Sequence, residues 1–139
     1  MTSERPPTLS MYVCCEDPAA ATEWLCRAIG FEKVIEFADE QGGIAHAELR
    51  LGDAVIMIRT DHEGYDVARA INGATGRGPI ITLASDEAVR ARHEAAVAAG
   101  GTSRIAPEET AWGDFHCEIL DPDGFQWSFG TCQPGTVSC

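Results

Sequence analysis

Residues 113–129 read GDFHCEILDPDGFQWSF, and residues 43–58 read GIAHAELRLGDAVIMI. Both stretches run His, one spacer, Glu, an apolar residue, a turn and a second apolar run. Side chains of a strand alternate between its two faces. Ala45, Ala47, Leu49 and Leu51 therefore share one face of the first strand, and His46, Glu48 and Arg50 the other. In the second copy Phe115, Cys117 and Ile119 are the apolar set, with His116 and Glu118 opposite. The same strand–turn–strand unit written twice, seventy residues apart, is most simply a duplication.

Working outward, each copy sits inside a longer repeat. TLSMYVCC (residues 8–15) is a strand, and EDPAAATEWLCRAIG a helix opened by Asp17 as N-cap with Pro18 in its first turn and closed by Gly30. Ala21, Trp24, Leu25 and Ile29 give that helix its apolar stripe. FEKVIEFAD, GIAHAELRL and AVIMIRT follow as strands. After a Gly-rich polar stretch the order restarts: PIITLAS is a strand, DEAVRARHEAAVAAG a helix with Asp86 as its cap, and TSRIAPEE, DFHCEIL and FQWSFGT three strands, with DPDG as the last turn. The chain is expected to be α+β, a single domain over residues 1–139. Module one spans about 8–60, a linker 61–77, module two about 78–131 and a tail 132–139.

Composition narrows the function. The chain has 139 residues, enough for one core, and a formal net charge of −12 from 22 acidic and 10 basic residues. Such a surface repels phosphate backbones and attracts cations, so no nucleic-acid partner is expected. No run reaches the roughly 20 apolar residues a membrane span needs, and MTSERPPTLS lacks the order of a secretory signal. The six cysteines show no paired metal or disulfide spacing. The reading is of reduced thiols in a cytoplasmic protein.

The double βαβββ order, with DPAAATEWL and AIGF around the first helix and WGDFHCEILDPDGFQWSF at the end, resembles the vicinal oxygen chelate superfamily of glyoxalase I, extradiol dioxygenases and bleomycin-resistance proteins. The resemblance runs from about Leu9 to Thr131. It implies two tandem βαβββ modules forming a curved mixed sheet around a ligand cup, and commonly a homodimer. Enzymes of the family hold a divalent metal through a first-strand His, seven residues before the helix-opening Asp, and a Glu central to each last strand. The matching positions here are Ser10, Met57, Pro79 and Ser128. None is a His or a carboxylate, and a catalytic divalent ion needs about three N or O ligands from the protein. The expectation is therefore no metal, no cofactor and no catalytic residue.

That leaves the binding branch, whose members sequester antibiotics. The ligand-binding candidates are His46, Glu48, Met57, Trp112, His116, Glu118, Ser128, Met11 and Tyr65. Met57 puts a soft apolar group where a ligand stood, Trp112 suits a rim, and Tyr65 lies in the linker as a potential lid. The partner class is a small hydrophobic or cationic molecule. Three readings of the His–x–Glu pairs stay open: structural hydrogen-bonded pairs, the polar part of a ligand site, or a relocated metal site. For the last, the 6–7 Å or so between alternate residues of a strand is an obstacle. The alternative function is a lyase, isomerase or dioxygenase with displaced metal ligands, or a metal-free enzyme with Glu48 or Glu118 as general base.

Overall fold

The computed structural model describes residues 8–60 and 78–135. The chain separates into two compact units, each described by itself below. The first contains β1 (Met11–Cys15), α1 (Pro18–Trp24), β2 (Glu32–Ala38), β3 (Ile44–Leu51) and β4 (Ala54–Thr60); of the π-helical turn that continues α1 (Leu25–Ile29), Arg27–Ile29 group with the second unit. The second contains β5 (Ile80–Thr82), α2 (Asp86–Ala98), β6 (Thr102–Glu109), β7 (Phe115–Leu120) and β8 (Gln126–Gly130). Each unit forms a four-stranded mixed sheet, ordered β1-β4-β3-β2 in one and β5-β8-β7-β6 in the other. The first and last strands of each unit run parallel and the remaining neighbours antiparallel. Two βαβββ modules in an α+β chain are what the repeat implied.

The alternation read from the sequence decides the faces. Val13, Cys15, Ala47, Leu49, Ile56 and Ile58 are buried on the side of sheet one that α1 covers. Asp17 caps α1 through its Oδ1, which accepts from the Ala20 N–H at 3.1 Å. The helix closes wide, with the Gly30 N–H reaching the Leu25 carbonyl at 3.1 Å. Gly30 takes φ 98°, the left-handed region that a Cβ disfavours. In sheet two, Cys117, Ile119, Trp127 and Phe129 are buried under α2, which contributes Val89 and Ala96. On β8 the aromatic residues Trp127 and Phe129 are core, and Gln126 and Ser128, which alternate with them, are half-buried.

Three expectations need correcting. Asp86 does not cap α2: Ser85 does, its Oγ accepting from the Ala88 N–H at 3.1 Å, while Asp86 and Glu87 lie in the first turn. A hydroxyl and a carboxylate cap equally well, so adjacent Ser and Asp cannot be told apart by residue type. Met11 does not join Met57: it pairs with Ile56 and shares the parity of Val13, placing it on the helix side. Cys14, Cys15, Cys26 and Cys117 are free thiols, but Cys132 is disulfide-bonded. A single bridge requires no spacing motif, which is why the cysteine pattern missed it.

Candidate functional site

Strand registry lines up the uncovered face of sheet one in two rows. Tyr12, Met57, Glu48 and Ile35 oppose one another across β1, β4, β3 and β2, and Cys14, Arg59, His46 and Phe37 form the next row. His46 Nε2 and Glu48 Oε2 are 2.9 Å apart. Rotamers thus close the separation along the strand that the extended backbone imposes. The Phe37 ring lies 6.0 Å from the His46 ring, and the Arg59 guanidinium sits 5.6 Å from the Tyr12 ring centroid, a cation–π distance. The face is a polar centre of His46, Glu48 and Arg59 with Tyr12 at one end and Phe37 at the other, both more than half exposed.

Sheet two has the same registry and different chemistry. Ile80, Ser128, Glu118 and Ile105 form one row, and Thr82, Gly130, His116 and Glu108 the other. Glu118 is engaged by Arg104, with Nε to Oε1 at 2.8 Å. His116 instead lies beside the buried Asp114, Nδ1 to Oδ2 at 3.8 Å, with the exposed Trp112 ring 6.4 Å away. The duplicated dyads have diverged: His46 is joined to its own Glu, whereas Glu118 is joined to an arginine. Tyr65 lies outside the described residues.

Two carboxylates that the sequence reading passed over organise this unit. Asp114 Oδ1 accepts from the Thr131 N–H at 2.8 Å, the Cys132 N–H at 2.9 Å and the Thr131 hydroxyl at 3.3 Å. Thr110 holds the Asp114 main chain from the other side, its hydroxyl accepting from the Asp114 N–H at 3.0 Å. Asp121, first residue of DPDG, accepts from the Asp123 and Phe125 N–H groups at 3.0 and 2.8 Å and from the Trp127 indole at 3.0 Å. Burial pushes the Asp121 carboxyl up from its ordinary range, against the lowering effect of those donors. The cue for both was present: an Asp next to a Gly or Pro at a strand end commonly bonds nearby main-chain N–H groups.

The donor set does not fit the metal that the resemblance implies. Met57 and Ser128 occupy the fourth-strand positions and Ser10 the first. The cap at Ser85 moves the remaining position from Pro79 to Gly78, which has no side chain. Among the described residues no three His, Cys, Asp or Glu side chains are grouped to hold an ion.

The model of the Glyoxalase/Bleomycin resistance protein/Dioxygenase superfamily matches residues 8–129. The chain belongs to that superfamily. It is similar to TioX from Micromonospora sp. ML1, at 26% identity and a TM-score of 0.71, covering 90% of this chain and 98% of that one. It is also similar to an uncharacterized protein of Mycobacterium tuberculosis, 26% identical over 125 residues, 89% of this chain and 74% of that one. The fosfomycin resistance protein FosX from Listeria monocytogenes, crystallised with Mn(II) and 1S,2S-dihydroxypropylphosphonic acid, shares the fold at TM-score 0.71 and 11% identity, covering 94% of each chain. The superfamily's own description joins glyoxalases, bleomycin-resistance proteins and dioxygenases, so membership does not fix the chemistry of this chain. Among the described residues no helix is long and apolar enough to cross a membrane.

Proposed function

We propose that this chain binds a small molecule without transforming it, sequestering an antibiotic or toxin on the uncovered faces of its sheets. The observation that carries the reading is the replacement at the fourth-strand positions. Met57 stands between Tyr12 and Glu48, and Ser128 between Ile80 and Glu118. A thioether and a hydroxyl are poor ligands for a hard divalent ion, and a thioether beside an aromatic ring is a good surface for an apolar guest. The carboxylates flanking them are already engaged, Glu48 by His46 and Glu118 by Arg104. That leaves faces on which apolar groups (Tyr12, Met57, Ile35 and Phe37 in sheet one, Ile80 and Ile105 in sheet two) flank polar groups already oriented by their partners, a mixture that can hold a small molecule. The acid surplus of the chain favours a hydrophobic or cationic guest over an anionic one.

The test is direct. Protein purified without chelator is assayed for bound metal and for a shift in melting temperature with Mn²⁺, Zn²⁺ or Ni²⁺. Tryptophan fluorescence is then titrated with a panel of cationic and polycyclic antibiotics. Sequestration predicts no stoichiometric metal and saturable quenching that weakens in Tyr12→Ala and Met57→Ala. Stoichiometric metal lost in a His46→Ala, His116→Ala double variant would overturn the proposal and favour a displaced-ligand enzyme.

A further inference from the structure

The connection from β6 to β7 is closed by four hydrogen bonds. The Thr110 N–H and hydroxyl both donate to the Asp114 carbonyl, at 2.7 and 3.1 Å. The Asp114 N–H returns to the Thr110 hydroxyl at 3.0 Å, and the Gly113 N–H reaches the Thr110 carbonyl at 3.2 Å. Trp112 stands in this turn, 69% exposed, with its ring 6.4 Å from that of His116. A main chain fixed in advance lowers the ordering cost to anything that lies against the indole.

The two oxygens of Asp114 are treated unlike. Oδ1 takes three donors from Thr131 and Cys132. Oδ2 takes no hydrogen bond from any described residue, although the side chain is only 6% exposed. A desolvated acceptor without a donor is costly. Both oxygens crowd the place where a Cβ on Gly130 would stand, at 2.9 and 3.0 Å. Gly130 opposes His116 and has the parity of Ser128, so the carboxylate lies on the uncovered face, in a gap that a side chain would fill. Oδ2 is 3.8 Å from His116 Nδ1, beyond hydrogen-bond reach. One donor nitrogen placed between them can bond to both. Glu108 opposes His116 from β6, exposed, its carboxylate paired with no described residue. Arg104, on the same strand, is already held by Glu118.

We propose, resting on the reading that the uncovered faces take a small molecule, that Trp112, Asp114, His116 and Glu108 form a subsite for a primary ammonium group on an apolar stem. The ammonium donates to Asp114 Oδ2 and to His116 Nδ1, the neutral imidazole carrying its proton on Nε2. Trp112 covers the stem, and Glu108 adds a second negative charge at the rim. A quaternary ammonium has no N–H to offer Oδ2. A metal ion would need about three grouped ligands, which the described residues do not supply.

Three probes of one shape test it: phenethylamine, its N-trimethylated cation and its neutral N-acetyl derivative. Each is titrated into the full chain and followed by NMR at the Trp112 indole N–H and the main-chain amides of residues 110–116. The amine is expected to bind more tightly than the trimethylated cation, and both more tightly than the neutral compound. In Asp114→Asn the three donors keep the amide oxygen at the Oδ1 place, so an NH₂ group replaces Oδ2. That variant, checked for folding by circular dichroism, should bind the amine about tenfold more weakly or worse, with the N-acetyl compound unchanged. Glu108→Gln, at an exposed carboxylate outside the clamp, should weaken the amine about two- to fivefold. Equal affinity for all three probes, an Asp114→Asn variant that folds and binds the amine as wild type does, shifts gathered at Tyr12 and Met57 instead, or no saturable shift at all would each overturn the subsite while leaving sequestration to its own test. Stoichiometric metal beside an intact amine response would remove sequestration and leave the subsite standing.

Discussion

Gly130 and Asp114 make a quantitative test of how sheet two is held. A Cβ built on Gly130 falls 2.9 Å from Asp114 Oδ2 and 3.0 Å from Oδ1, closer than such contacts tolerate. The carboxylate is fixed by two main-chain N–H groups and a hydroxyl, and cannot swing aside like a flexible tip. Gly130→Ala should therefore cost about 1–3 kcal/mol, the usual range for forcing a methyl into filled space. Asp114→Ala leaves the Thr131 and Cys132 N–H groups without their acceptor. At roughly 1–3 kcal/mol for each buried donor, reduced because both residues are only half-buried, the expected loss is about 2–4 kcal/mol. In the double variant the carboxylate that the added methyl would strike is gone, and the Gly→Ala change regains a few tenths of a kcal/mol or more through the unfolded chain. The double variant should thus be more stable than the sum of the singles by about 1–2 kcal/mol, beyond the ~0.5 kcal/mol scatter of independent sites. Urea unfolding followed by circular dichroism, with linear extrapolation, measures all four corners. Additivity within that scatter, or a loss below about 1 kcal/mol in Asp114→Ala, would refute the clamp.

Other predictions follow from the same geometry. Trp127→Ala, at a fully buried indole bonded to Asp121, should cost about 3–5 kcal/mol by urea unfolding. Because burial raises the folded-state pKa of Asp121, its contribution is fully present below the unfolded carboxyl pKa and lost as pH rises through the folded value. Asp121→Asn should flatten stability over that acidic window relative to wild type. Burial likewise pushes the Cys117 thiol up to about 11. Its stabilising contribution is complete below the unfolded thiol pKa and lost as pH rises toward 11, a dependence Cys117→Ala should remove. Native-state labelling at pH 8 should modify Cys14, which is partly exposed, and spare Cys117.

The residue pattern alone delivered the two modules, the order of helix and strands along each, and the split of β3, β7 and β8 into a buried and an uncovered face. These features rest on periodicity and turn residues, which act locally: Ala47 and Leu49 had to face one way once His46 and Glu48 faced the other. Helix caps were legible only to within a residue, since Ser85 and Asp86 both cap well. The partners of polar side chains were not legible, because they lie on other strands or round a turn. That Glu118 goes to Arg104 while Glu48 goes to His46, that Asp114 clamps the main chain after β8, and that Met11 falls on the face of Ile56 all depend on register and rotamer. Register follows from the pairing of segments distant in the chain, so only the folded sheet decides which donor reaches which acceptor. That Met57 and Ser128 stand where the resemblance implies metal ligands was visible in the sequence, but the prior engagement of the neighbouring carboxylates was visible only in the fold.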